Sequence, residues 1–328
     1  METTLIKSPA NKRRAVFDSI TDLIGNTDNP TPIVMLNQNI NPSPDFSLGI
    51  KLERYNVFGS IKDRVALKML QESLIINDQT VLEASSGNTA IALAALGNAM
   101  DIPVEIAIPE RAPEEKKQLL KILGVSELWE AEDALCPLYP NEGARGLAKG
   151  LAESPAYEGK YVYLNQYENA LNVLAHYEST GPEIWNQFDG NIDMFFAGFG
   201  TGATISGVGK YLKERNPNIK IIGVEPATTN HTLSGLKRIT GLAKEYVPEI
   251  LDLSIIDEIL TVEDDDAYQT GIDMARKTGL LVGPTSGAII SAALAYGKTH
   301  AGVAVAISPD DAFKYTQAYS QYLDRKRA

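Results

Sequence analysis

Residues 51–64, KLERYNVFGSIKDR, decide the fold of this chain. The stretch predicts a strand, a Gly-Ser turn and a helix over residues 61–73 that carries Lys62 in its first turn. The helix dipole disfavours a cation at that end, so the amine reaches its neutral, nucleophilic form more easily. A lysine that bonds covalently to a carbonyl carbon needs this form. On this stretch alone, a solvated surface lysine is an equally good interpretation.

Strand and helix patterns alternate along the rest of the chain. Residues 81–89 (VLEASSGNT) precede a helix of small residues, and residues 258–296 predict strand, helix, strand and helix, with the second strand near 280–283. This alternation predicts an α/β fold of two lobes, each with an open, mostly parallel twisted sheet flanked by helices. Composition changes near residue 160, so we predict a smaller lobe at 47–159 and a larger lobe at 1–46 and 160–328.

Bulk composition narrows the class of function. The chain has 328 residues, a net charge of −12 and a single cysteine, Cys136. The negative charge argues against nucleic acid and anionic membranes as partners, and no apolar run approaches the roughly 20 residues of a membrane span. The lone cysteine fits a reducing, cytoplasmic compartment. His176, His231 and His300 lack ligand spacing, so we expect no metal site.

The sharpest local pattern is FFAGFGTGATISG, residues 195–207. An apolar strand runs into small residues and then a helix, which lets backbone N–H groups approach an anion closely. The P-loop lysine is absent, and the glycines do not keep the spacing of the dinucleotide fingerprint. The pattern therefore predicts a phosphate site. Two alternatives stay open, namely a nucleotide whose ribose is bound by Glu225, and a tight packing turn between strand and helix.

Two further turns carry hydroxyl groups. Residues 84–89 (ASSGNT) can cap a helix and also hold a carboxylate, although simple capping explains them as well. Residues 283–288 (GPTSGA) place hydroxyls before another helix. In open α/β sheets, ligands collect beyond the carboxyl ends of the strands, where we expect all of these turns. A nucleophilic lysine, a phosphate site and a carboxylate site together suggest pyridoxal phosphate.

At these motifs the chain resembles the cysteine synthase group of the fold-type II, tryptophan synthase β-like, pyridoxal-phosphate enzymes. GSIKDR is similar to the family's lysine motif, EASSGNT to its substrate-carboxylate loop, GFGTGAT to its phosphate loop, and GPTSGA to its pyridine-nitrogen turn. NQYEN and STGPEIW match intervening segments. The chain departs from the family at Val57, where proline is usual, and at Ala203, where glycine is common. We expect these changes to alter loop stiffness more than chemistry.

The resemblance implies a role for each matching residue. Lys62 would hold pyridoxal phosphate as a Schiff base and later move the α-proton, Asn88 would hydrogen-bond the pyridoxal 3′-oxygen, and Thr285 would face the pyridine nitrogen. The phosphate would be bound by five consecutive residues, Gly200, Thr201, Gly202, Ala203 and Thr204. The amino acid carboxylate would be bound by Ser85, Ser86, Gly87, Thr89 and Gln166. A neutral hydroxyl at the ring nitrogen favours β-elimination over transamination.

The expected activity is β-replacement on an O-activated L-serine, O-acetylserine or O-phosphoserine, with a sulfur nucleophile. L-cysteine would form through an α-aminoacrylate. Lys237 and Arg238 could receive an anionic group of either substrate, or could be solvent-facing charges. The alternatives are an amine nucleophile giving a diaminopropionate-type product, a serine/threonine dehydratase-like lyase, and a catalytically weak binding paralogue. The resemblance also implies a homodimer.

Overall fold

The computed structural model describes residues 16–41, 43–76, 78–132 and 138–327. Cys136 lies outside these ranges. The strands in chain order are β1 Ile33–Met35, β2 Phe46–Leu52, β3 Thr80–Ala84, β4 Val104–Pro109, β5 Glu127–Ala131, β6 Tyr161–Tyr163, β7 Met194–Gly198, β8 Lys220–Pro226, β9 Glu258–Val262 and β10 Gly302–Ser308.

The α-helices are α1 Lys62–Glu72, α2 Asn88–Ala99, α3 Glu114–Ile122, α4 Gly143–Glu153, α5 Ala170–Ala175, α6 Gly181–Gln187, α7 Ala203–Arg215, α8 Asp264–Thr278, α9 Pro284–Tyr296 and α10 Thr316–Arg327. A π-helical turn, His176–Thr180, joins α5 to α6. Short 3-10 helices lie at Ile20–Leu23, Glu53–Tyr55, Pro155–Tyr157, Lys244–Tyr246, Leu253–Ile255 and Ala312–Tyr315. Within the described ranges, no helix is long and apolar enough to cross a membrane.

The strands form two sheets. One has six strands in the order β1-β2-β10-β7-β8-β9, and the other has four in the order β5-β4-β3-β6. All pairings are parallel except that of β1 with β2. Two mostly parallel sheets with flanking helices confirm the predicted fold class. The lobe boundaries stay a prediction; β2 belongs to the six-stranded sheet and β6 to the four-stranded one.

The apolar residues of β7, β8 and β10 explain why these strands lie in the interior of the six-stranded sheet. Parallel strands covered on both faces are apolar on both faces, and here Phe195, Phe196 and Ile221 are all fully buried. Helix α9, which packs on this sheet, is built mainly from small and aliphatic residues and is buried on most of its surface. The carboxyl ends of the central strands are thereby fixed relative to the loops that follow them.

The structure differs from the sequence prediction between α8 and α9. The predicted strand near residues 280–283 does not form, because α8 and α9 pack directly on each other and the segment between them pairs with no sheet. Gly283 instead precedes Pro284, which starts α9 with its fixed φ. The expectation that GPTSGA follows a strand end was therefore wrong. Helix α1 was predicted with one extra residue at each end.

A buried ion cluster fastens α1 to β2 and α6. We define it as Lys51, Glu53, Arg64 and Glu183, each at most 3% exposed. Arg64 donates from Nε to Glu53 Oε2 at 2.6 Å and from Nη2 to Glu183 Oε2 at 2.9 Å. Lys51 Nζ lies 2.6 Å from the same Glu183 oxygen. Because Arg64 is two residues after Lys62, this cluster fixes the helix that presents the lysine.

Candidate active site

Lys62 is the first residue of α1 and follows a tight turn. Gly59 has a φ of +76°, a left-handed conformation that glycine adopts without strain. Burial lowers the pKa of the Lys62 amine to about 8, although the nearby charge of Glu83 acts in the opposite direction. The neutral form is thus accessible near physiological pH. This is the property that a nucleophilic or proton-transferring lysine requires.

We expect the Lys62 amine of the cofactor-free protein to titrate near pH 8. The measurement is the rate at which an amine-reactive reagent labels each lysine between pH 6 and about 11, followed by peptide mass spectrometry. Lys68 is the matched control, because it lies on the same helix but is paired with Glu72 and Glu178. A midpoint for Lys62 at the ordinary value of 10.5 would contradict the expectation.

The substrate loop lies between β3 and the start of α2. Gly87 precedes α2, and a Cβ atom added to it would meet no atom within 4 Å, so this position borders open space. Thr89 is buried and donates from Oγ1 to Gln166 Oε1 at 2.9 Å. The structure therefore brings together the two segments, ASSGNT and NQYEN, that were predicted to bind one carboxylate.

Glu83 is hydrogen-bonded to Gln166, the partner of this loop, and the sequence analysis did not identify it. It is fully buried, and its two oxygens accept hydrogen bonds of 3.3 Å from the backbone N and the side-chain Nε2 of Gln166. Burial raises the pKa of Glu83 to about 7, with the hydrogen bonds of Gln166 opposing the shift. Glu83 is part of the EASSGNT motif. A carboxyl group near the end of an otherwise apolar strand is the sequence feature that could have identified it as a candidate site residue.

Asn88, the first residue of α2, lies between two charged groups from the C-terminal part of the chain. Its Nδ2 donates to Asp310 Oδ2 at 2.8 Å, and its Oδ1 accepts from Lys314 Nζ at 2.8 Å. Neither partner was predicted, since both are more than 200 positions away along the chain.

The predicted phosphate loop, residues 200–204, lies between β7 and α7 as expected. Gly202 has a φ of +86° and directly precedes α7. Its geometry excludes a side chain, because a Cβ atom there would lie 2.7 Å from Leu251 Cβ. The first N–H groups of a helix have no partner within the helix and form an anion site. The conformation of this loop is compatible with phosphate binding, and its role stays a prediction.

Asn172 and His176 contact the phosphate loop, and neither was predicted. Asn172 donates from Nδ2 to Gln166 O at 2.7 Å and to Thr201 Oγ1 at 3.3 Å, which connects the NQYEN segment with the phosphate loop. His176 is fully buried; its Nε2 lies 3.3 Å from Thr204 Oγ1 and its Nδ1 lies 3.0 Å from Thr180 Oγ1. Burial lowers the pKa of His176 to about 3, so the ring is neutral. His176 and Thr180 are four residues apart, a spacing that permits their contact within one helical turn, but the sequence alone did not indicate that either residue belongs to the site.

Thr285 lies in the first turn of α9 and faces the loop at residues 234–235. Its Oγ1 donates to Ser234 O at 2.6 Å and lies 3.1 Å from the position of a Cβ atom on Gly235. A Cβ on Gly200 would in turn lie 2.9 Å from Gly235 O, so the loop borders both the phosphate loop and Thr285. Thr285 is thus close to the phosphate loop, and its contact with a pyridine nitrogen stays a prediction.

Lys237 and Arg238 lie on the irregular connection between β8 and β9, and both are partly buried. Arg238 donates from Nη1 to Pro226 O at 3.4 Å. Glu225, the residue considered for a ribose, accepts from the backbone N atoms of Ile239 and Thr240 at 2.8 and 2.9 Å. Glu225 therefore holds this connection in place. Within the described residues there is no cluster of metal-ligating side chains.

Fold and site define the class of protein. Residues 24–310 match the family described as pyridoxal-phosphate dependent enzyme, so the chain belongs to this family and is an enzyme of this type. It is 40% identical over 313 residues to a cysteine synthase of Aquifex aeolicus, which covers 92% of this chain and 91% of that protein. It is 34% identical over 309 residues to an O-acetylserine dependent cystathionine beta-synthase of Bacillus subtilis, covering 92% and 96%. The structure of O-acetyl serine sulfhydrylase isoform 3 from Entamoeba histolytica is similar, with a TM-score of 0.82 and 26% identity, covering 98% of this chain and 99% of that one.

The residues present fit pyridoxal phosphate. Lys62 offers an amine that becomes neutral near pH 8, for the aldehyde carbon. The loop before α7 offers N–H groups and hydroxyls for the phosphate. Asn88 carries an amide donor, Nδ2, at the start of α2, and Asp310 and Lys314 orient this amide. Three chemically different parts of the cofactor thus find matching groups, although the roles of the individual residues stay predictions.

Proposed function

We propose that the protein catalyses β-replacement on an O-activated L-serine, with O-acetylserine as the first candidate, and that a sulfur nucleophile gives L-cysteine. The Cβ–O bond breaks, acetate leaves, and a Cβ–S bond forms. The observation that carries the proposal is the partly buried Lys62 amine, which feels the charge of Glu83. Glu83 in turn accepts from Gln166, which is hydrogen-bonded to Thr89 in the loop before α2. The similarity to a cysteine synthase and to an O-acetyl serine sulfhydrylase supports this choice of reaction.

In the proposed reaction, each group of site residues has a separate role. Bound pyridoxal phosphate supplies an electron sink at the α-carbon. Lys62 Nζ removes the α-proton, holds it, and returns it to the α-carbon once the sulfur nucleophile has added. The substrate carboxylate is bound by the N-terminus of α2 and its hydroxyls, with Ser85, Ser86, Gly87, Thr89 and Gln166 as the binding residues. Asn88 donates to the ring oxygen, and residues 200–204 anchor the phosphate.

The proposal also covers the sulfur nucleophile and the residues that bind the leaving group. We propose sulfide or another small sulfur compound as nucleophile, and an amino acid as the other substrate. Lys237 and Arg238 are candidates for binding an anionic leaving group such as phosphate, because they lie on the connection that also carries Ser234 and Gly235 beside Thr285. A homodimer and a cytoplasmic location stay predictions.

The test is to add O-acetylserine, O-phosphoserine or L-serine to the purified enzyme and follow the absorbance of the bound cofactor. We expect O-acetylserine to change the spectrum within seconds, and sulfide to restore it with release of cysteine. Thiosulfate and small amines are added in parallel, because an amine product would identify the alternative nucleophile. Pyruvate release without a nucleophile would indicate the dehydratase-like lyase.

One result would count against the proposal. If none of the three serine compounds changes the spectrum of a protein that does bind pyridoxal phosphate, β-replacement is excluded and a binding paralogue remains. If only O-phosphoserine reacts, the double variant Lys237→Met/Arg238→Met should lose that reaction. The matched control is Lys277→Met, an exposed lysine paired with Asp273 on α8.

A further inference from the structure

The segment after β10 reaches the turn that carries Lys62. Lys314 Nζ donates to Phe58 O and Gly59 O, both at 3.1 Å, and to Asn88 Oδ1 at 2.8 Å. A lysine ammonium has three hydrogens, so these three acceptors use all of them. One side chain near the C-terminus therefore connects the Gly59 turn, just before Lys62, to the first residue of α2.

Asp310 and Lys314 fix the orientation of the Asn88 amide between them. An ammonium can only donate, so it selects the Oδ1 side of the amide; an ionised carboxylate can only accept, so it selects the Nδ2 side. If the amide rotated by 180°, two donors would face each other at Lys314 and two acceptors would face each other at Asp310. The amide therefore keeps one orientation, with Nδ2 toward Asp310 and Oδ1 toward Lys314.

Asp310 is itself held rigidly. It is 3% exposed, its Oδ2 also accepts from Tyr315 Oη at 2.6 Å, and its backbone O accepts from Ser308 Oγ at 3.3 Å. A Cβ atom on Gly283 would lie 2.3 Å from Asp310 Oδ1, so only glycine fits beside this carboxylate. Pro309 O accepts from the backbone N of Ile61, one residue before Lys62, at 2.9 Å. The whole segment is thus bonded to the start of α1.

We propose that Lys314 and Asp310 are positioning residues that set the Asn88 amide, and with it the Lys62 turn, for the cofactor. The ligand atom that this arrangement recognises is an oxygen acceptor of a ring, and the inference rests on the proposed cofactor role of Asn88. Both residues act through Asn88 and the turn. The C-terminal segment is thereby part of the cofactor site.

The test measures the dissociation constant of pyridoxal phosphate, by equilibrium dialysis, for Lys314→Met. Loss of a hydrogen bond from a charged donor predicts weaker binding by about 10-fold or more, and a displaced absorbance maximum of the bound cofactor. Lys314→Arg keeps a donating cation and should recover part of the affinity. Lys326→Met is the matched control, since this lysine lies on the adjoining α10 and pairs with Asp265 at the surface; its affinity should equal that of the unaltered protein.

A double-mutant cycle with Asn88→Ala distinguishes positioning from general destabilisation. If Lys314 acts through Asn88, Lys314→Met should weaken binding much less in the Asn88→Ala background than in the unaltered protein. Additive losses, or unchanged affinity in Lys314→Met, would overturn the inference. Should Lys314→Met fail to fold, Asp310→Asn enters the same cycle. Because the measured quantity is cofactor affinity, a protein that binds pyridoxal phosphate but does not act on O-acetylserine would refute the proposed function alone.

Discussion

Lys62→Ala is expected to bind pyridoxal phosphate without a covalent bond and to lose β-replacement activity by about 10³-fold or more. The side chain supplies both the covalent attachment and the base for the α-proton, and a general acid–base group alone contributes about 10²- to 10⁴-fold. Borohydride reduction followed by peptide mass spectrometry should find the cofactor on Lys62 in the unaltered protein. In Lys62→Ala, no lysine should carry it.

The control for this experiment is Lys68→Ala, which lies on the same helix and removes a partly exposed ion pair with Glu72 and Glu178. This variant should keep both covalent attachment and activity. If the reduced cofactor were found on another lysine, or if Lys62→Ala kept more than a tenth of the activity, the assignment of Lys62 would be wrong.

Arg64→Met is expected to lower the free energy of unfolding by about 3–5 kcal/mol, because it leaves the carboxylates of Glu53 and Glu183 buried without their main partner. Methionine keeps the length and apolar volume of the stem, so the loss reports on charge more than on packing. Urea denaturation measures the difference. Lys68→Met should cost only about 0–1 kcal/mol, since its partners are 44% and 50% exposed.

The difference in unfolding free energy between the unaltered protein and Arg64→Met should decrease as the pH falls. Burial opposes ionisation of Glu53, but the charge and hydrogen bonds of Arg64 lower its pKa to about 2, from an ordinary value of 4.5. A carboxyl group with a lowered folded-state pKa contributes stability above its unfolded pKa and loses it as the pH falls toward the folded one. The contribution of Glu53 in the unaltered protein is lost below about pH 4.5, so the gap between the two proteins should be clearly smaller at about pH 3 than at about pH 7. A gap that is constant down to pH 3, or smaller than that of Lys68→Met, would contradict the role of the ion cluster.

Local motifs were enough to predict the parts of the site that are continuous in sequence. The lysine at the start of α1, the loop before α2 and the glycine-rich loop before α7 each form within a single strand-to-helix connection. Their conformations follow from small residues, positive φ and helix N-termini, which are properties of neighbouring residues. The α/β class follows from the same alternation of patterns.

The residues that sequence reasoning missed act across long separations. Glu83 holds Gln166, His176 orients Thr204, and Lys314 reaches Asn88, over separations of 83, 28 and 226 positions. No spacing rule connects such residues. The absent strand near 280–283 has the same origin, because the packing of α8 on α9 removed it while the local apolar run favoured it.

The sequence by itself determined that Lys62 lies at the start of a helix and that two loops of small and hydroxyl residues precede α2 and α7, since each of these features depends on a few adjacent residues. Only the tertiary structure decided what surrounds them. A buried charge becomes stable only where folding supplies an opposite charge or a hydrogen bond, as Glu53 and Glu183 do for Arg64. Lys314 and Asp310 likewise supply hydrogen bonds to the neutral, partly buried amide of Asn88. The lowered pKa of Lys62 has the same cause, because burial removes water from the amine and burial is a property of the whole fold.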